Sequence, residues 1–159
     1  MTVRVIQDAD FTRAAIDLAA GASTSLFLIQ YLFVIPPTLS HPAARIASEL
    51  WGAAERGVHV RILLNRFSHG RAAGQPVTRA PMELRHPNID LRYHTSGQVL
   101  HSKIIIADAT TTLTGSHNLS HWTLTRSHNL SLLIVDTSTG SRILAIYNPL
   151  FQRAKHATR

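Results

Sequence analysis

Cysteine is absent from all 159 residues. That excludes disulfide frameworks and thiolate metal sites, and it leaves the compartment undetermined, because reducing and oxidising settings both tolerate a cysteine-free chain. Lysine is nearly absent too: Lys103 and Lys155 stand against 14 arginines. Acidic residues number nine, with none between Glu55 and Glu83 and none between Asp108 and Asp136. No apolar run can span a bilayer; the longest, LFLIQYLFVI at 26–35, carries Gln30 inside it and reads as a buried strand. The start MTVRVIQDADF lacks a basic region leading into an apolar core, so no signal peptide is expected in this sequence. Repeats and low-complexity segments are missing as well.

What is present is an ordinary folded composition: 45% hydrophobic and 16% charged residues over a length suited to one core, so residues 1–159 read as a single domain. The formal net charge of +7 favours anionic partners, either nucleic acid or anionic lipid headgroups. Where arginine is the default cation, a lysine inside a motif stands out. Arginine grips phosphate with a planar fork, whereas lysine supplies a compact, rotatable charge. Arg56, Arg61, Arg66, Arg71 and Arg79 fall in the acid-free stretch, and Arg66, Arg71 and Arg79 in its loop are candidate phosphate contacts.

Residues 8–20 read as a helix capped by Asp8 or Asp10 and stopped at Gly21. A strand at 24–35 ends at Pro36 and Pro37, and Phe27, Tyr31 and Phe33 read as its core aromatics. A second helix, 40–56, leads directly into the strand VHVRILL at 58–64. Strand, helix and strand with short links make a right-handed crossover onto a parallel sheet. The period breaks over 65–80, a loop; PMELRH forms a short helical turn, and NIDLRY at 88–93 alternates as a strand. After Asn118 come a short helix with Trp122 packed inward, an apolar strand at 129–136, and a last helix carrying Ile143, Ile146 and Tyr147 that Pro149 interrupts.

The chemistry concentrates in HSKIIIADATTTLTGSHN, residues 101–118. On a strand, His101 and Lys103 share one face, which pairs a nucleophile or acid with a phosphate-binding cation. Asp108 falls at a turn, Gly115 permits close backbone approach, and Ser116 and Asn118 add hydroxyl and amide donors. A phosphoryl transition state needs one thing more, a second acid. One imidazole cannot be free nucleophile and protonated acid at once, so a two-fold partner supplying a second copy is expected.

The spacing HxKx4Dx6GSxN, met by His101, Lys103, Asp108, Gly115, Ser116 and Asn118, resembles the signature of the phospholipase D superfamily. A single copy in a short chain is most similar to the small bacterial endonucleases of the Nuc type. The resemblance implies an α/β fold, an α/β/α sandwich; with the crossover read above, the expected central sheet is mixed and mainly parallel. It also implies a homodimer whose two His101 residues act as nucleophile and acid through a phosphohistidine, with no metal and no cofactor. Lys103, Asn118 and Ser116 would then hold the non-bridging oxygens, while Asp108 would tie the turn after the strand. A soluble bacterial protein follows, cytoplasmic, or periplasmic or secreted if a leader has been removed.

One departure stands out. Relatives carry a carboxylate about ten residues beyond GSxN that orients the catalytic histidine. Here His128, Asn129 or Ser131 must stand in, with Asn129 first by position. An amide stabilises an imidazolium less than an anion does. The resemblance therefore leaves three functions: a nuclease for DNA or RNA, a phospholipase or phosphatidyl transferase acting on lipid headgroup esters, and a catalytically weakened nucleic-acid-binding protein. A metal site at His117, His121 and His128 lacks a completing carboxylate or thiolate, and these three read as surface histidines.

Overall fold

The computed structural model describes residues 1–35, 38, 40–66 and 84–156. Arg71, Arg79 and half of the helical turn expected at 81–86 lie outside these residues. In chain order the elements are β1 (Thr2–Gln7), α1 (Asp10–Gly21), β2 (Ser25–Gln30), α2 (Pro42–Glu55), β3 (His59–Asn65), β4 (Ile89–His94), β5 (Lys103–Ala107), β6 (Thr111–Gly115), α3 (His121–Thr125), β7 (Leu130–Val135), α4 (Thr137–Arg153) and β8 (Lys155–His156).

The strands form one mixed sheet in the order β1-β7-β6-β5-β2-β3-β4-β8. The α/β sandwich is as expected, but the sheet is not mainly parallel. Only β2–β3 and β3–β4 run parallel, and the other five junctions are antiparallel. The reason is connection length: a parallel pair needs a long crossover, which α2 supplies between β2 and β3, whereas the short link from β5 to β6 forces reversal.

Both faces of the central strands are covered. Phe11, Ala15 and Leu18 of α1 and Ile46 and Leu50 of α2 pack on Leu26, Leu28, Ile62, Leu64 and Ile105. Across the sheet, Ile143, Tyr147 and Phe151 of α4 pack on Phe27, Ile29, Leu63, Ile104 and Ile106. Two-sided burial explains why β2 reads as an unbroken apolar run rather than an alternating one.

Several expectations are corrected. Strand β1 is additional; it pairs at the sheet edge with β7. Neither Asp8 nor Asp10 caps α1, whose N-cap is Ala9 without a side-chain bond. Asp8 instead adopts a positive φ of 46° and accepts the Asn129 backbone N–H at 2.7 Å. Trp122 is 65% exposed, and Leu124 is the α3 residue that turns inward. Helix α4 runs through Pro149 without a break.

The β5–β6 turn is the most tightly tied feature. Asp108 and Ala109 both have positive φ, and Gly140 at the start of α4 lies so close that a Cβ there would meet Ala109 O at 2.2 Å. The Asp108 carboxylate accepts five hydrogen bonds, from the backbone N–H groups of Ser23, Thr24 and Ser25 and the hydroxyls of Ser23 and Thr24. Although burial opposes it, these donors hold the carboxyl well below the ordinary carboxylate value. Asp108→Asn, which puts an NH2 against those donors, should cost about 2 kcal/mol in urea denaturation at neutral pH. Because the folded-state value is depressed, the wild-type advantage is present above about pH 4 and fades as the pH falls further.

Candidate active site

The pairing of β5 with β2 and β6 brings the motif to one end of the sheet. His101, Ser102, Lys103, Ile104, Thr114, Gly115, Ser116 and Asn118 line a cavity of about 370 Å³. Four of the expected site residues, His101, Lys103, Ser116 and Asn118, therefore meet. Asp108 does not: it follows the far end of β5, about 16 Å away at the usual rise per strand residue. Arg66 is exposed beyond the end of β3 and does not line the cavity.

His101 precedes β5 and is exposed, with its ring edge against Tyr31 at 4.6 Å between centroids. Lys103 is 8% exposed and donates from Nζ to the His101 carbonyl at 2.6 Å. Its ammonium also lies 5.0 Å from the Tyr31 ring centroid. Burial pushes the Lys103 pKa below the ordinary lysine value. Among the described lining residues no carboxylate compensates that charge. Such a site favours an anion, which would restore the electrostatics lost on desolvation.

Asn118 lines the cavity, and its Oδ1 is buried without a hydrogen-bond partner, so the amide is free to serve a ligand there. Ser116 is committed elsewhere. Its hydroxyl donates to Asn129 Oδ1 at 2.8 Å and accepts the Leu130 N–H at 3.2 Å. Gly115 is required by close approach, since a Cβ there would lie 2.3 Å from Leu130 O. Ser102 Oγ and the Tyr147 hydroxyl share a hydrogen bond, which ties α4 to the segment between His101 and Lys103.

The residues expected to orient His101 do not do so within one chain. The Asn129 amide oxygen is taken by Ser116, and its NH2 faces the carbonyls of Thr123 and Ser127. His128 is exposed and contacts the Asp8 carboxylate through Nδ1 at 3.1 Å. Asp8, 120 residues away from His128 in sequence, brings to this corner the negative charge that the 109–135 stretch lacks. The Asn129 N–H first, and then His128, hold its carboxyl down at about 2. Nothing in the local sequence around Asp8 announces this; only the β1–β7 pairing does.

His117 is not a surface histidine. It is fully buried, stacked on Phe11 at 4.2 Å, with Nε2 at 3.1 Å from the Asp8 carbonyl and Nδ1 at 2.7 Å from Ser131 Oγ. A carbonyl only accepts, so Nε2 carries the proton and Nδ1 accepts from Ser131. His121 points elsewhere, to His41 at 2.9 Å. Among the described residues no three His, Asp or Glu side chains converge as metal ligands would.

A mixed eight-stranded sheet between helices brings a buried lysine, an imidazole and an amide into one cavity that has no carboxylate among its described lining residues. Residues 15–154 match the family described as "Cardiolipin synthase, PLD-like domain", and the chain belongs to that family. A curated relative, cardiolipin synthase A of Salmonella arizonae, is 27% identical over 126 residues, 79% of this chain. The chain spans about a quarter of that protein's length, 26%. Among solved structures, Nuc from Salmonella typhimurium, a phospholipase D family member, superposes with TM-score 0.80 at 24% identity, covering 98% of this chain and 97% of that one. NucT from Helicobacter pylori gives 0.74 at 18% identity, with 98% of each chain covered. At these identities the two structures establish the fold.

Burial holds the His117 pKa below its ordinary value of 6.5. The unfolded chain then binds more protons than the folded one between those two values, so stability should fall as the pH drops through 6.5. Urea melts from pH 8 to 5 should show this acid slope, and His117→Gln should reduce it.

Proposed function

We propose that this protein is a phosphodiesterase hydrolysing nucleic acid, DNA or RNA, through a phosphohistidine intermediate, in an active site composed from two copies of the chain. The observation that carries the reading is the cavity itself: among its described lining residues stand one imidazole and one buried ammonium, and no carboxylate.

His101 Nε2 attacks phosphorus, a P–N bond forms, and the P–O bond to the leaving group breaks. The His101 of a second copy gives its proton to the departing oxygen. That same imidazole, now neutral, takes a proton from water as the water attacks the phosphohistidine, and both histidines return to their starting states. Lys103 and the Asn118 NH2 hold the non-bridging oxygens as charge builds on them. Ser116 acts differently from the expectation: with its proton on Asn129, it fixes the β6–β7 corner rather than donating to phosphate. Asp108 anchors the far end of β5 so that the pocket end cannot slip.

The net charge of +7 and the 14 arginines support a polyanionic substrate. The single copy of the HxKx4Dx6GSxN motif, which gives the described lining one imidazole, supports the paired site. Phosphatidyl transfer on lipid is the second reading, favoured by the cardiolipin synthase relatives. Among the described residues no helix is long and apolar enough to cross a membrane.

Purified protein incubated with plasmid and single-stranded oligonucleotide in excess EDTA should cleave, and His101→Ala should lower the rate about a thousandfold or more. Cleavage that survives this substitution would contradict the mechanism. Release of headgroup from phosphatidylcholine or cardiolipin vesicles without any nucleic-acid cleavage would select the lipid reading.

A further inference from the structure

Gln30 is the one polar residue of the LFLIQ strand, 0% exposed, and neither its amide oxygen nor its amide nitrogen has a hydrogen-bond partner. A buried amide among apolar side chains is costly unless something completes it. Its place in the sheet says what that is. Across the β2–β5 pair Gln30 stands opposite Lys103, and across β2–β3 opposite Leu64. Residues directly opposite on antiparallel strands hold their Cβ atoms about 5 Å apart on the same face. The orphan amide and the buried ammonium are therefore cross-strand neighbours.

Lys103 has three N–H bonds to place. One goes to the His101 carbonyl, and the ammonium also lies over Tyr31. The described groups facing it are His101 on its own segment, Gln30 at the end of β2, Tyr31 just after it, and Asn118 beyond β6; none of the described lining residues is a carboxylate. Two N–H bonds remain, one for a phosphate in the cavity and one for a second acceptor that fixes the direction of the ammonium.

We propose that Gln30 is a positioning residue for Lys103, its amide oxygen accepting from the ammonium, directly or through one buried water, so that another N–H bond is aimed at a phosphate in the cavity. This rests on the reading of Lys103 as the phosphate-binding cation. It also gives a role to a buried glutamine that follows four apolar residues, Leu26 to Ile29, in β2.

The chain has only two lysines, so the test can be read directly on the side chain. In protein labelled with 15N at lysine Nζ, Lys103 and Lys155 give two signals, assigned with Lys155→Arg, and each is titrated in wild type, Gln30→Met and Gln30→Glu. Removing the acceptor disfavours the charged form, so Gln30→Met should lower the Lys103 midpoint by about half a unit or more and leave Lys155 in place. Gln30→Glu should raise it. Gln30→Met should melt at or above the wild-type temperature, because an unsatisfied buried amide is gone, while kcat on a nucleic-acid substrate falls about tenfold or more. A Lys103 titration in Gln30→Met that coincides with wild type overturns the proposal, as does a Lys103 midpoint unmoved by Gln30→Glu. Absence of turnover in the wild type would instead count against the proposed function, and the titrations would still decide the role of Gln30.

Discussion

The antiparallel pairing of β2 with β5 is the constraint on which the rest depends. It joins a half-sheet with parallel crossovers to a half-sheet of reversing strands, and its register puts Gln30 opposite Lys103 and Leu26 opposite Ala107. A slip of one residue would turn Lys103 to the other face and expose the Ile104–Ile106 run to the wrong helices. Two local devices prevent it. At one end the Asp108 carboxylate gathers the N–H groups that open β2; at the other, Tyr31 N–H donates to Ser102 O just before β5 begins. The motif's aspartate and its lysine thus serve one strand from opposite ends, the first by holding register and the second by presenting charge.

That charge sets the chemistry. An ammonium with no carboxylate among the described lining residues is under-compensated, and in the proposed function the binding of a phosphate would relieve it. The proposed mechanism takes its second imidazole from another chain, because the described lining offers one, His101, and Lys103 is assigned to the phosphate. Negative charge does approach, from Asp8, yet its oxygens are spent on the Asn129 backbone and on His128, at the corner where β1 closes on β7. The corner is stiffened further by His117, whose two ring nitrogens bridge Asp8 and Ser131.

Much of this was legible in the sequence because it is local. The β2 run, the two helices flanked by Gly21 and Gly57, and the spacing from His101 to Asn118 each follow from periodicity or from residue type at fixed offsets. What escaped was long-range. Strand β1 is an edge strand of mostly exposed residues and shows no burial pattern until β7 is placed beside it. Sheet direction depends on which neighbours pair, so one visible crossover suggested more parallel strands than there are. Asp8 looked like a helix cap and proved to serve a turn more than a hundred residues away. Trp122 is large and aromatic, which favours burial on average, yet α3 is only five residues long and buries Leu124 instead. Tyr31 read as core, whereas it contacts both His101 and Lys103 at the pocket. Gln30 was visible as an oddity in an apolar strand, but only the register across β2–β5 gives the oddity a neighbour.

The central claim is that His101 becomes covalently attached to phosphorus. The most direct measurement is mass spectrometry of protein quenched during turnover of an oligonucleotide in EDTA, followed by digestion and mapping of the adduct. The account predicts an acid-labile phosphoramidate-linked nucleotide fragment on the peptide containing His101, absent from His101→Ala. Continuing cleavage with no adduct at His101, or with the adduct on another residue, would contradict it.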